Sequence, residues 1–183
     1  MTLLTGFEPV IESNCKVLIL GSMPGVASLR KHQYYAHPRN AFWPIMEELF
    51  GIEQSRKYEE RCSMLSTGRV GVWDVLKACK RTGSLDSRIE ASSEEANDFD
   101  SLFSSYRSIS AVFFNGSTAE RLYKKHILSS EIIQNQNLFY HRLPSTSPAY
   151  ASMKYEEKLE QWRRVQVLAT NGQIPDHHYP RLS

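Results

Sequence analysis

Apolar residues gather along this chain in two alternating patterns. "KVLIL" (Lys16 to Leu20) is a short, nearly continuous apolar run closed by glycine, which suits a strand covered on both faces. Runs of the same kind begin at Val70 ("VGVWDVL"), Ile109 ("ISAVFFNG") and Asn137 ("NLFYHRLPS"). Between them the spacing turns helical. Phe42 to Phe50 is apolar at steps of three and four, with Pro44 in the first turn, where a missing N–H costs nothing. "SRKYEERCSML" is charged and helical. Ser92 with Glu95, ahead of Phe99, Leu102 and Phe103, has the spacing of a capping box. Ser117 with Glu120, ahead of Leu122, Ile127 and Leu128, repeats it. Tyr155, Leu159, Trp162, Val165 and Leu168 mark a last helix. The order β-α-β-α-β-α-β-α predicts one three-layer α/β/α sandwich with a four-stranded parallel sheet, spanning 1–183 without repeat or linker. The segment 171–183 has little to bury and is expected as a loose tail or a strap.

Composition changes little in this picture. Charged residues make up 23% and hydrophobic ones 41% of 183 residues, ordinary for a globular chain. A net charge of +2 excludes a polycation but leaves room for a local basic face. No stretch has the length of a membrane span and "MTLLTGFEPV" lacks a signal-peptide pattern, so a cytoplasmic protein is expected. Cys15, Cys62 and Cys79 are widely spaced, without Cys-x-x-Cys, and read as buried thiols. No metal or organic cofactor is expected, and a monomer is.

In open parallel sheets, ligands sit beyond the carboxyl ends of the strands. The four ends here are "GSMPG", "WDVL", "NGST" and "LPSTSPA", all polar or glycine-rich. Read as plain residues, each has a bland role: strand-to-loop turn, helix cap, self-capped turn.

Taken in order with "YYAHPRNAFWPI" and "GVWDVLKACKRTGSLDS", these ends resemble the uracil-DNA glycosylase superfamily, and most of all its sixth branch, the hypoxanthine-DNA glycosylases. The likeness runs from about residue 15 to 168. It implies a monofunctional, base-flipping DNA glycosylase with DNA carrying a damaged base as partner. The base would be hypoxanthine, with uracil as runner-up.

A base inside a duplex is out of reach of attack and must be everted, at a cost of roughly a few kcal/mol. The resemblance gives Tyr35 the task of stacking on it, while Tyr34 reads as core. Gly21 and Ser22, with Gly25, let the backbone approach a ligand closely. Met23 stands where most branches place the group that holds the hydrolytic water. In the hypoxanthine branch an asparagine of the Ala-His-Pro-x-Asn stretch is implicated instead, here Asn40. A carboxamide takes no proton at neutral pH, but it holds a water by its carbonyl and NH2. That suffices if the sugar becomes an oxocarbenium-like cation before water adds. Asn40 reads equally as the cap of the Phe42–Phe50 helix. Asp74 ends the second strand, and as a carboxylate it would accept from the N1–H of hypoxanthine and disfavour adenine. A helix cap or an ion pair with Lys77 or Arg81 is the alternative. Asn115 is placed at the pocket floor or as a cap.

Leu143 replaces the histidine that opens the last motif in many relatives, so help for the leaving base must come from elsewhere. His141 reads as a structural or surface histidine rather than a replacement acid. The hydroxyls of Ser145, Thr146 and Ser147 are candidates for gripping phosphates, and Ala149 or Tyr150 for filling the gap in the duplex. Arg39, with Arg30 and Lys31, and Lys77, with Lys80 and Arg81, suggest one basic rim. Two other functions fit these residues: an enzyme acting on free nucleosides, and a non-catalytic module that binds damaged DNA.

Overall fold

A computed structural model of the chain describes residues 3–171. Its elements are β1 (Leu3–Thr5), β2 (Val17–Gly21), α1 (Val26–Lys31), α2 (Phe42–Phe50), α3 (Tyr58–Thr67), β3 (Val70–Asp74), β4 (Leu76–Lys80), β5 (Glu95–Ala96), α4 (Phe99–Ser105), β6 (Ala111–Asn115), α5 (Ser117–His126), α6 (Glu131–Gln134), β7 (Phe139–Leu143) and α7 (Tyr155–Asn171). The four apolar runs form one parallel sheet of order β3-β2-β6-β7. Every residue of β2 and β3 is buried, which is why those strands read as unbroken apolar runs rather than alternating ones.

Helices cover both faces. On one, Tyr123 of α5 packs against Phe114 and Tyr140 of the sheet, and Phe99 of α4 lies against Tyr123 and Trp73. On the other, Phe42 of α2 meets Trp162 of α7 edge-on. The three layers and the parallel sheet are as the sequence predicts.

Several local expectations are corrected. Ser92 does not cap α4: it sits in a 3-10 turn, and Asp98 is the cap, its Oδ1 accepting from the Ser101 N–H at 3.0 Å. Ser117 is the first residue of α5 rather than its cap, and Glu120 turns to Lys124 and Arg142. No helix follows Asp74. The chain runs into β4, which joins β1 and β5 in a small antiparallel sheet that the apolar pattern did not reveal. Cys15 and Cys79 are buried, as expected, but Cys62 is half-buried. The expected tail lies outside the described residues beyond Asn171, the last residue of α7. Among the described residues no helix is long and apolar enough to cross a membrane.

The sheet order places the topological switch between β2 and β6. From there the chain leaves to one neighbour, β3, and to the other, β7. A crevice opens at such a point, outside the carboxyl ends Gly21 and Asn115.

Candidate active site

That crevice is a cavity of about 360 Å³. All four strand ends reach it. Gly21, Ser22 and Met23 come from β2, Asp74 from β3, Asn115 from β6, and Ser145, Thr146, Ser147, Ala149 and Tyr150 from the loop after β7. Tyr35 and Asn40 line it from the long loop before α2.

Gly21 and Asp74 are in-register neighbours on the sheet. The Asp74 side chain leans over Gly21 so closely that a Cβ there would lie 2.2 Å from Asp74 Oδ1 and 3.4 Å from the Tyr35 hydroxyl. Glycine is needed here for space, not for an unusual φ. Asp74 is only 4% exposed, and its Oδ2 is buried without a hydrogen-bond partner. Neither expected ion pair forms. Lys77 is exposed and holds Glu95 at 2.8 Å, outside the cavity. Arg81 is itself buried, its guanidinium donating to the carbonyls of Gly83, Met23 and Pro24 and standing 3.8 Å from Asp86. Arg81 is therefore the brace of the Gly21–Gly25 turn and not part of a basic rim. Burial pushes the Asp74 carboxyl up to about 8, with Asp86 adding to the shift and Arg81 opposing it.

Tyr35 has φ +55°, a left-handed backbone that a tyrosine rarely adopts. It is held there by its ring, stacked on Phe42 at 4.0 Å. One face is thus covered while the residue still lines the cavity. Its hydroxyl is buried beside the Asn115 carboxamide, and burial drives its ionisation well above the ordinary range. Tyr34 is core, as expected, with its hydroxyl on the Glu8 carbonyl at 3.1 Å.

The N-cap of α2 is Ala41 rather than Asn40, but Asn40 ties into the first turn of the helix and reaches the cavity as well. Its Oδ1 accepts from the Phe42 N–H at 3.0 Å, at the start of α2. This fixes the carboxamide yet leaves a lone pair of Oδ1 and the NH2 for a water. His37 accepts the Arg39 N–H on Nδ1, so its Nε2 carries the hydrogen when the ring is neutral. Arg39 is exposed and, like Lys77, is not among the residues lining the cavity.

Asn115 spends both ends of its carboxamide on Thr146: Nδ2 donates to Oγ1 at 2.8 Å and Oδ1 accepts the Thr146 N–H at 2.9 Å. The Thr146 carbonyl in turn accepts from Ala41 N–H at 3.0 Å. Thr146 is 1% exposed. It is therefore a buried knot tying β6, the last loop and the α2 entry together, not a phosphate ligand. Ser145 and Ser147 accept backbone N–H groups within their own turn, and their hydroxyl hydrogens remain to be donated. Lys158 of α7 secures the tip of this loop, donating to the Tyr150 carbonyl at 2.8 Å with its ammonium 5.1 Å from the Tyr150 ring. His141 faces Arg164 and the rings of Phe113 and Phe139, in keeping with a structural role.

Sequence reasoning gave no chemistry to Asp86 or His37, which also line the cavity. Asp86 accepts the Ser22 hydroxyl at 2.8 Å, and burial raises its carboxyl. Asp86 lies in "GSLDS", within a stretch that carries the family resemblance, and that stretch was the signal available.

The family model of the uracil DNA glycosylase superfamily matches residues 8–169. The chain is 46% identical over 112 residues to a hypoxanthine DNA glycosylase of Methanosarcina barkeri, covering 61% of this chain and 70% of that protein. It is 42% identical over 115 residues to one of Methanosarcina acetivorans, covering 62% and 72%. A solution NMR structure from Methanosarcina acetivorans, of a candidate uracil DNA glycosylase, superposes with a TM-score of 0.73 at 34% identity, over 91% of this chain and 99% of that one. The chain belongs to the uracil DNA glycosylase superfamily, and DNA glycosylase is its class of enzyme.

Proposed function

We propose that this glycosylase releases hypoxanthine from deoxyinosine in DNA. The carrying observation is that Asn40, Tyr35 and Asp74 line one cavity whose outer wall is the Ser145–Tyr150 loop. The everted purine enters that cavity and stacks on the uncovered side of Tyr35, a contact worth about 1–3 kcal/mol. Ser145 and Ser147 donate to the phosphates beside the flipped nucleotide, and Tyr150, exposed at the loop tip and tethered by Lys158, occupies the gap left behind. As the N9–C1′ bond lengthens, its electron pair passes into the purine and the sugar becomes cationic. A water held by the Asn40 carboxamide then adds to C1′ and loses its proton to solvent. The two Methanosarcina relatives named as hypoxanthine DNA glycosylases support the choice of base.

Uracil is the second reading, because its N3–H and O4 edge repeats the donor–acceptor pair of hypoxanthine's N1–H and O6. An oligonucleotide panel with a single inosine, uracil, xanthine or ethenoadenine, tested for alkali-labile abasic sites, separates the two. Inosine is expected to be cleaved fastest; faster cleavage at uracil would transfer the assignment.

A further inference from the structure

Asp74 Oδ2 is buried without a hydrogen-bond partner, and the Asp74 carboxyl and the Tyr35 hydroxyl converge on the gap over Gly21. Such atoms are satisfied by an ordered water or by a polar ligand edge. Resting on the glycosylase reading, we infer that Asp74 acts as a neutral carboxylic acid that donates a hydrogen bond to the carbonyl of the departing base.

The surroundings of Asp74 favour that form. A buried, unpaired carboxylate is costly, and keeping the proton avoids the cost. Only Arg81 opposes the shift, and the other charged or titratable groups near it do not offset a negative charge. Arg81 is committed to three main-chain carbonyls and lies against Asp86. Asp86 has the same sign. Tyr34 and Tyr35 are held neutral by burial. His37 lines the cavity but ties its Nδ1 to the Arg39 N–H. The Asp74 carboxyl accordingly stands at about 8.

The reaction has a use for such a donor. When the glycosidic electrons enter the purine, negative charge spreads onto the ring nitrogens and O6. Met23 and Leu143 offer no hydrogen to it, and the Ser22 hydroxyl is donated to Asp86. An acid fixed over Gly21 donates its O–H to O6 while its carbonyl oxygen accepts N1–H. A donor aimed at developing charge in a water-poor site is worth far more than in bulk water, and neutral buried acids serve in this way elsewhere. The proton stays on Asp74 throughout, so the released base and the added water balance the reaction without it.

The test is the single-turnover rate of hypoxanthine release from about pH 6 to about pH 10. For the native protein the rate is expected to fall tenfold per pH unit above about 8. Asp74→Asn keeps a donor and an acceptor at every pH, so it should remain within about tenfold at neutral pH and lose that alkaline limb, while Asp74→Ala should lose about a hundredfold or more. An alkaline limb that persists in Asp74→Asn belongs to the substrate and overturns the inference, as does a native profile flat through this range. Infrared spectra guard against misfolding of the variants. A protonated carboxyl band in the native protein at neutral pH, lost at high pH and missing from Asp74→Asn, is expected, and its absence at neutral pH overturns the inference without any assay. If the native protein releases no base at any pH, the glycosylase reading fails and the donor role with it, whatever the infrared band shows.

Discussion

The main-chain N–H of Phe42 donates to Asn40 Oδ1 at 3.0 Å, so one carboxamide both starts α2 and faces the cavity. The group that ties down the first turn of α2 is also the proposed water-holder, and the two roles can be separated. Asn40→Ala strands the Phe42 N–H and should cost about 1 kcal/mol of stability, whereas Asn40→Asp keeps the acceptor and should cost little. Both should lose most base release, because the alanine holds no water and the carboxylate has no NH2. Chemical denaturation beside a single-turnover assay checks this. Loss of activity that tracks loss of stability would make Asn40 a structural residue alone.

Gly21→Ala tests the close approach of Asp74. The new Cβ would lie 2.2 Å from Asp74 Oδ1, so the carboxyl must swing away, at an expected cost of about 1–3 kcal/mol. Gly25→Ala is the control, since its Cβ would meet Ser84 Oγ at an ordinary 3.5 Å. Thermal melts should separate the two variants clearly, and equal melts would remove the steric argument.

Asp74 also sets a pH dependence of stability. Its folded-state carboxyl lies at about 8 against an ordinary 3.8, so the folded chain binds the extra proton between those values. Stability is then highest below the unfolded value and declines as pH rises towards the folded one. Asp74→Asn should abolish that decline, a gain on the order of a few kcal/mol at pH 8 relative to pH 4. Urea midpoints measured across this range are the check, and parallel curves for the two proteins would contradict the burial of an unpaired acid.

Arg39 and Lys77 should differ in DNA binding. Lys77 is paired with Glu95 at 2.8 Å outside the cavity, while Arg39 is exposed in the loop that carries Asn40. Arg39→Ala should weaken binding and lower the salt slope by about one; Lys77→Ala should leave the slope unchanged. Affinities at graded salt decide this, and equal slopes would remove Arg39 from the contact surface.

Asn115→Ala should cost about 1–3 kcal/mol, because it strands the buried Thr146 N–H. It should also release the last loop from α2, which faster hydrogen exchange at Ala41 and Thr146 would report. Unchanged exchange would mean that other contacts hold the loop.

The parallel sheet was legible because β2, β3 and β6 are apolar without interruption, a pattern that burial on both faces imposes. The side sheet was not, because β4 ("LKACK") follows Asp74 and Val75 directly and reads as a continuation of the same run. Caps were misplaced where a Ser-x-x-Glu spacing arose by chance, with Glu120 drawn to Lys124 and Arg142 instead. In the site, residues at strand ends were legible from topology alone. Arg81 was misread because nothing local marks an arginine as buried; three carbonyls distant in sequence or in the turn make it so. Asp86 was missed for the related reason that its partner, Ser22, is far away along the chain. Thr146 reads in sequence as a phosphate ligand, but it is buried and bound twice by Asn115, far along the chain.

The most direct measurement is abasic-site formation in a duplex carrying one deoxyinosine, under single turnover, for the native protein and Asn40→Ala at equal folded concentration. The account expects alkali-labile strands from the native protein and a rate lower by about a hundredfold or more in the variant. Equal rates from the two proteins would contradict water placement by Asn40, and no abasic strands from the native protein would contradict the hypoxanthine assignment itself.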